Sequence, residues 1–543
     1  MGLLVTCTFA RVVVLLAGSV FALSAQAATS SPPTDLIVYG ATASGVMTAY
    51  SAAREGLHVV LLEPGAHVGG MVTGGLSATD LGNYRIIGGY ARDFYMKAAA
   101  NYSVHDLDHP ANWLSEPHVD EAIFRAMLKD AGVEIHFHRR LRERDGVELK
   151  GKHLLSLTTD DGTRWPAKVF ADCSYEGDLM AQARISYTWG RESAAEYGED
   201  LAGVREKTPK HQFLWPLSAY DDHRHLLPEI DPGPLATPGS GDKKVQSYNF
   251  RLILTNDPAN KLPFPRPPGY DRARFALLAR YLNEFAQHMG RAPGFRDITN
   301  PVTIPNHKAD FNNNGPVSTD YIGHSWKYPE ATYAGKAALW QDHLLYTQAF
   351  FYFISQDASV PASLRAEVNQ WGLPRDEFAD TDHWPNQLYI REGRRMVGEY
   401  VMRQSDLQTG RTKPDSIGLG SYNSDSHNIQ RVAMPDGNVQ NEGDVQVPVE
   451  PYEIAYRSIT PQRSEAENLL VPVCLSASHA AYSSVRMEPQ YMIIGQAAGA
   501  AASLAIQHHT FIQDVAIPEL QHKLREHGAI LHLSEEYSAA TSH

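Results

Sequence analysis

The residues best arranged for chemistry lie near the amino end, in Gly40-Ala41-Thr42-Ala43-Ser44-Gly45. This hexapeptide follows an apolar run at residues 35–39 and precedes a stretch, 46–55, that reads as a helix ending at Gly56. A second apolar run, 58–62, closes on Glu63. A tight glycine turn between strand and helix lets free N–H groups at the helix start face a pyrophosphate, and an acid after the next strand accepts hydrogen bonds from a ribose diol. Gly40, Thr42, Ala43, Ser44, Gly45 and Glu63 are therefore candidate dinucleotide-binding residues. Thr42 stands where the usual fingerprint has its middle glycine, so it must tolerate a close contact or shift the phosphate slightly. A glycine hexapeptide alone is weak evidence. Here strand, turn, helix, strand and acid agree.

The residues past Glu63 separate a flavin from a nicotinamide cofactor. Gly69-Gly70-Met71 adds a second glycine pair, which lets a loop pass close to a bulky ligand. Residues 119–131 read as a helix, 132–137 as a strand, and a polar hairpin turning at Asp160-Asp161-Gly162 leads to a strand at 168–172. That order resembles the two-dinucleotide-binding flavoproteins. Four segments sharpen the likeness: residues 69–76, 172–179, 389–396 and 469–499. They resemble the FAD-dependent oxidoreductase family of secreted bacterial proteins, some of which are labelled xanthan lyases. The resemblance runs from about residue 35 to 507 and implies a glutathione-reductase-type fold with FAD as cofactor. It places Val133 near the adenine and Asp172 on the strand that returns to the cofactor. It sets Glu488, just before a helix expected from about Gln490, and Gly495, within that helix, against the pyrimidine side of the flavin. The positive end of that helix suits negative charge on a reduced ring.

Oxidation of an alcohol or amine removes a hydride from carbon while a base takes the heteroatom proton, and imidazole is suited to that near neutral pH. The chain has 24 histidines, so position must choose among them. His479 stands just before the presumed flavin-facing helix. His427 lies in Ser424-Asp425-Ser426-His427-Asn428, where Asp425 could fix its tautomer or merely share its loop. His307 belongs to the polar run 305–315, which reads either as a hydrogen-bonding wall for a hydroxyl-rich substrate or as a surface turn. Arg391 and Arg395 share a face if 389–395 starts a helix, and Arg391 is a candidate clamp for an anion. The plainer reading of that charge run is a solvated face. No metal site is predicted: there is no Cys-x-x-Cys and no His-Glu-x-x-His, and His223-Arg224-His225 reads as a surface loop. No Gly-x-Ser-x-Gly nucleophile elbow is present either.

These groups must be positioned by an α/β fold: a Rossmann-like FAD-binding domain assembled from residues 34–189 and 386–543, with an inserted α+β cap at 190–385. Dense prolines mark the insertion, along with helical stretches at 273–288 and 340–356. Such insertions commonly carry substrate recognition. The run 468–474 reads as a buried strand, and small residues after 490 allow close helix packing.

With 543 residues, 43% hydrophobic and 20% charged, a large core is feasible. A formal charge of −14 and no basic run exclude a duplex-binding face and argue against docking on anionic lipid. Residues 1–27 match a signal peptide: one cation, Arg11, a short apolar run and Ala25-Gln26-Ala27, with cleavage expected after Ala27. That apolar run is shorter than a membrane span, and no integral segment is expected after cleavage. Periplasmic or secreted location follows as an expectation. Cys173 and Cys474 remain, and the simplest reading is two lone buried thiols. The expected activity is hydride transfer between FAD and a small polar substrate, with sugars and sugar acids as candidates. A flavin-containing polysaccharide lyase without net redox turnover, or a non-catalytic glycan-binding flavin fold, are the alternatives. Oligomeric state is open.

Overall fold

In β1 (Leu36–Tyr39) successive side chains enter two different cores. Leu36 and Val38 pack with Val59, Leu61 and Val169, whereas Ile37 and Tyr39 pack with Val60, Leu62 and Phe170. Burial on both faces is why the run is continuously apolar rather than alternating. The structure, a computed structural model, describes residues 1–2 and 33–535. The expected signal peptide and its cleavage site rest on residues outside those described.

The principal elements that follow are α1 (Ala43–Arg54), β2 (Val59–Leu62), α2 (Pro117–Asp130), β3 (Glu134–His136) and β4 (Val169–Asp172). The middle of the chain supplies β5 (Leu252–Thr255), α3 (Ala276–Met289), β6 (Thr299–Ile304), β7 (Lys308–Asn313) and α4 (Tyr333–Gln356). Last come β8 (Ser424–Ser426), β9 (Leu469–Leu470), α5 (His479–Val485) and α6 (Glu488–His508). The main sheet has the order β9-β4-β1-β2-β3, parallel throughout. Its outermost strand β9 comes from late in the chain, so both halves of the sequence build one sheet. Tyr39, Leu62, His136 and Asp172 end their strands on the same edge, the edge where parallel α/β sheets bind ligands. This is the Rossmann-like α/β architecture the sequence predicts.

Helix α6 lies against α1 at a distance set by glycine. A Cβ on Gly495 would stand 2.3 Å from the Ser44 carbonyl oxygen, and one on Gly499 2.4 Å from that of Thr48. Over the middle of the chain, antiparallel β6-β7-β5 backs onto an aromatic core that includes Phe275, Phe311, Phe350, Phe351 and Phe353. The described residues from Thr34 onward form one compact unit. Helix α4 starts at Tyr333, earlier than residue 340, because the Thr332 hydroxyl caps it by accepting from Gly335 N at 3.1 Å.

Three expectations need correction. The polar run 305–315 is no surface turn along its length: residues 308–313 are β7, with Lys308 and Asp310 fully buried. Asp310 is neutralised by Arg251 at 2.7 Å, and Lys308 by Glu116 and Glu377 at 2.5 and 2.8 Å. Residues 389–395 do not start a helix. Arg391, Arg394 and Arg395 reach separate carboxylates, those of Asp320, Asp178 and Glu192, and the backbone that carries them is irregular up to a two-residue strand at Arg395–Met396. The strand expected over 468–474 is the two-residue β9. Cys173 and Cys474 are buried and free, as predicted. No helix among the described residues is long and apolar enough to cross a membrane.

Candidate active site

At the β1–α1 turn, Gly40 has φ +92°, and a Cβ there would meet Ser174 N at 2.8 Å. Gly45 leaves no room either: its Cβ would lie 1.9 Å from the Gly40 oxygen. Thr42 needs no glycine, because its φ is −59°. Its hydroxyl turns away into the sheet, donating to Cys173 O at 2.8 Å and accepting from Gly45 N at 3.2 Å. The substitution therefore caps α1 without crowding the approach to its N-terminus. Ala43 opens the helix, and the Ser44 hydroxyl beside it is buried with no hydrogen-bond partner. Glu63 accepts from Ala41 N at 2.7 Å and Gly65 N at 2.6 Å, tying the acid to the turn. Burial pushes its carboxyl up to about 7, against the pull of those two amides.

The second glycine pair folds back on this turn. Gly69 N donates to Ala41 O at 2.6 Å, and Gly70, with φ +56°, lies so close to Tyr175 that a Cβ would meet its hydroxyl at 2.4 Å. That hydroxyl accepts from Met71 N at 3.0 Å and donates to Glu488 Oε1 at 2.7 Å, so Met71, Tyr175 and the first turn of α6 form one unit. Glu488 Oε2 is buried without a partner, and burial raises the group to about 8.

Other expected cofactor contacts are displaced. Val133 precedes β3 at its amino end, opposite the ligand edge, and its side chain belongs to the core under α2. The carboxyl end of β3 offers His136 and the residues after it instead. Asp172 spends both oxygens locally, on Ser174 and on Met180 N at 2.8 Å, and burial raises it to about 6. It fastens the turn after β4 rather than facing a ligand. Gly495 faces Ser44 and serves helix packing.

A cleft of about 410 Å3 opens at the ligand edge, lined by Tyr39, Pro64, Ser174, Glu176 and Arg140. Tyr333, Lys336, Ala337, Trp340 and Gln341 of α4 cover it. The sequence reading missed this helix face. Its signal was present in the spacing: 333, 336, 337, 340 and 341 recur on one side of a helix.

A second cavity, about 310 Å3, contains His427. Its walls are Lys210, His211, Asn300, Asn312, Asn313, Asn314, Tyr422, Asn423, Asp425 and Gln446. Carboxamides dominate, and three of them come from the polar run singled out in the sequence. His427 Nδ1 lies 2.7 Å from Asp320 Oδ2, while Nε2 is 4.0 Å from Asp425 Oδ2, beyond hydrogen-bond range. Arg486 joins this cavity to α6: its guanidinium donates to Asp425 O at 2.7 Å and to the Tyr389 hydroxyl at 3.1 Å, two residues before Glu488.

The remaining candidates are elsewhere. His479 is 2% exposed and lines neither cavity; Nδ1 lies 2.8 Å from Glu392 Oε2, and the backbone N–H of His479 donates to Glu192 at 2.9 Å. Burial works to raise Glu392, yet His479 and Arg395 outweigh it and hold the group at about 2. This is a buried ion-pair network. His307 is exposed at the β6–β7 hairpin turn with φ +58°. Arg391 is buried and committed to Asp320, Asn249 and Ser247, so it is no free anion clamp. Glu116, His118 and Glu377 bring ligand atoms within 4.8 Å of one another, but the Lys308 ammonium already bonds both glutamates. That cluster is a lock between α2 and β7.

The donor set at the β1–α1 turn fits a dinucleotide. A glycine cradle that any Cβ would fill, an orphaned Ser44 hydroxyl at a helix N-terminus and a tethered acid stand together. Residues 35–524 match the FAD dependent oxidoreductase family. No curated protein matches. Among solved structures, thioredoxin reductase of Lactococcus lactis is 16% identical, with 26% of this chain and 34% of that chain covered and a TM-score of 0.17. L-amino acid deaminase from Proteus vulgaris is 14% identical, with 30% and 53% covered and a TM-score of 0.21. Each match spans less than two thirds of the solved chain. With the family match running through nearly all of the described chain, and its cofactor turn intact, the protein belongs to the FAD dependent oxidoreductases.

Proposed function

We propose that the chain oxidises a small, neutral, hydroxyl-bearing molecule held in the cavity beside His427. The observation that carries this reading is that, of the three candidate histidines, His427 alone lines a cavity while a carboxylate holds its other nitrogen. His427 Nε2 takes the hydroxyl proton as the carbon gives up hydride. Bound FAD supplies the acceptor for that hydride, the one function side chains cannot provide. Asn312, Asn313, Asn314 and Gln446 offer paired donors and acceptors, which match vicinal hydroxyls better than they match apolar surface.

Charge argues for a neutral substrate. Arg391 is committed to Asp320, and Arg486 bonds Tyr389 and the Asp425 carbonyl. Among the residues that line the cavity, an entering carboxylate would meet Asp425 with only the exposed Lys210 to balance it. Neutral sugars and polyols are favoured over uronates and amino acids. The apolar run and Ala25-Gln26-Ala27 at the amino end support work outside the cytoplasm.

Anaerobic mixing of the FAD-loaded protein with panels of polyols, aldoses, uronates and amino acids tests this by bleaching of the flavin band. Neutral hydroxyl compounds should bleach it. His427→Gln should slow bleaching at least about 100-fold with FAD content unchanged. Bleaching by carboxylates alone, or an undiminished rate in H427Q, overturns the reading.

A further inference from the structure

Asp320 lies far from His427 in sequence, on the loop between β7 and α4, and no local motif pairs the two. In space it does two things at once. Oδ2 is 2.7 Å from His427 Nδ1, and Oδ1 is 3.1 Å from Arg391 Nη2. Arg391 is fixed in turn, with Nη2 donating to Asn249 Oδ1 at 3.0 Å and Nη1 to the Ser247 carbonyl. The histidine backbone is held as well: its N–H donates to Gln246 Oε1 at 3.1 Å. Ring, carboxylate and guanidinium thus form a row that ends at the cavity.

We infer that Asp320 is the positioning residue of this site, holding His427 with its proton on Nδ1 and Nε2 bare toward the cavity. This rests on the reading of His427 as the base. A carboxylate can only accept at Nδ1, so the neutral ring must carry its proton there. Nε2 then keeps a lone pair for a substrate hydroxyl. When that proton arrives, the imidazolium is stabilised by the charge of Asp320, with no reorganisation of the site.

Other charged groups around the ring do not take over this role. Asp425 stands 4.0 Å from Nε2, too far to fix a tautomer. His211, which burial holds at about 4, remains neutral, and Asp444, raised by burial to about 8, is uncharged at neutral pH. Lys210 is exposed at the cavity wall. Arg391 explains why Asp320 stays ionised when buried: burial works against the charge, but the guanidinium and His427 hold the group well below the usual carboxylate range. A purely structural role, neutralising Arg391, would need no contact with the histidine.

The test uses the full FAD-loaded chain. Nitrogen-15 NMR of labelled histidine, with His427 assigned by difference from H427Q, should find Nδ1 protonated and Nε2 bare at pH 8 in the wild type. The opposite tautomer there overturns the inference without any variant of Asp320. Asp320→Asn should produce mixed tautomers and lower kcat by about 100-fold or more, with KM within about threefold for whichever polyol bleaches the flavin. The acidic limb of its pH profile should move to lower pH, because the carboxylate no longer favours the imidazolium. Asp320→Glu keeps the charge opposite Arg391 should the Asn variant fail to fold. It should retain the flavin spectrum and the Nδ1 proton while losing part of kcat. An inactive H427Q beside a D320N with wild-type kcat, pH limb and tautomer overturns the positioning role and leaves the base standing. Undiminished bleaching in H427Q sinks the base alone, and the tautomer still decides what Asp320 does.

Discussion

Glu63 is placed to couple cofactor binding to pH. Its two oxygens accept from Ala41 N and Gly65 N, yet burial still raises the carboxyl to about 7. A ribose diol needs the ionised acid as acceptor. FAD affinity should therefore weaken as pH falls through about 7, and Glu63→Gln should bind FAD at least about tenfold more weakly with a flat pH profile. Fluorescence titration of the FAD-free chain at pH 6, 7 and 8 measures both, and equal affinities across that range would remove Glu63 from the ribose site. The contact of this residue with the glycine turn was legible in the sequence because the two follow adjacent strands. Val133 was misplaced for a related reason: the sequence reveals a strand but not which of its ends the ligand edge uses. Asp320 was invisible, since its partners sit on distant loops.

Among the elements, the contact of α6 with α1 decides whether the cofactor turn keeps its shape. Glycine at 495 is required by the Ser44 carbonyl, a backbone atom that cannot swing aside. Gly495→Ala should cost about 1–3 kcal/mol in denaturant unfolding, as overpacking does, and should also weaken FAD retention because Ser44 lies in the first turn of α1. A stable variant that retains FAD would show that the helices can part without disturbing the turn. The small-residue pattern made this helix readable, and its observed start at Glu488 lies close to the expected one. Residues 389–395 were not readable in the same way. Their charge spacing suits a helix, but three carboxylates on different parts of the chain pull the arginines apart. Local propensity lost to tertiary ion pairing.

For the whole molecule, a sheet closed by β9 and cavities lined from both halves mean that many carboxylates are buried before any ligand arrives. Glu63 is raised to about 7, and Glu488 and Asp444 to about 8, each chiefly by burial. His67 and His118 are raised as well, by hydrogen bonds to Glu121 and Glu377. In every one of these groups the folded chain holds its proton more tightly than the unfolded chain. Stability therefore falls as pH rises through the folded values. The opposing groups act elsewhere: His211 and His343, lowered to about 4 by burial, favour the fold only as pH rises from there toward 6.5. Asp320 and Glu392, held low by their cations, matter only in strong acid. Between pH 6.5 and 8.5 the raised groups act unopposed by these, so the Tm of the FAD-free chain should drop by a few degrees across that window. Glu488→Gln should shallow the slope, because an amide pays no ionisation penalty in the same place. A Tm that is flat or rising over those two pH units would mean that water reaches these carboxylates in solution, and that the interior between α6 and the glycine turns is looser than its packing implies.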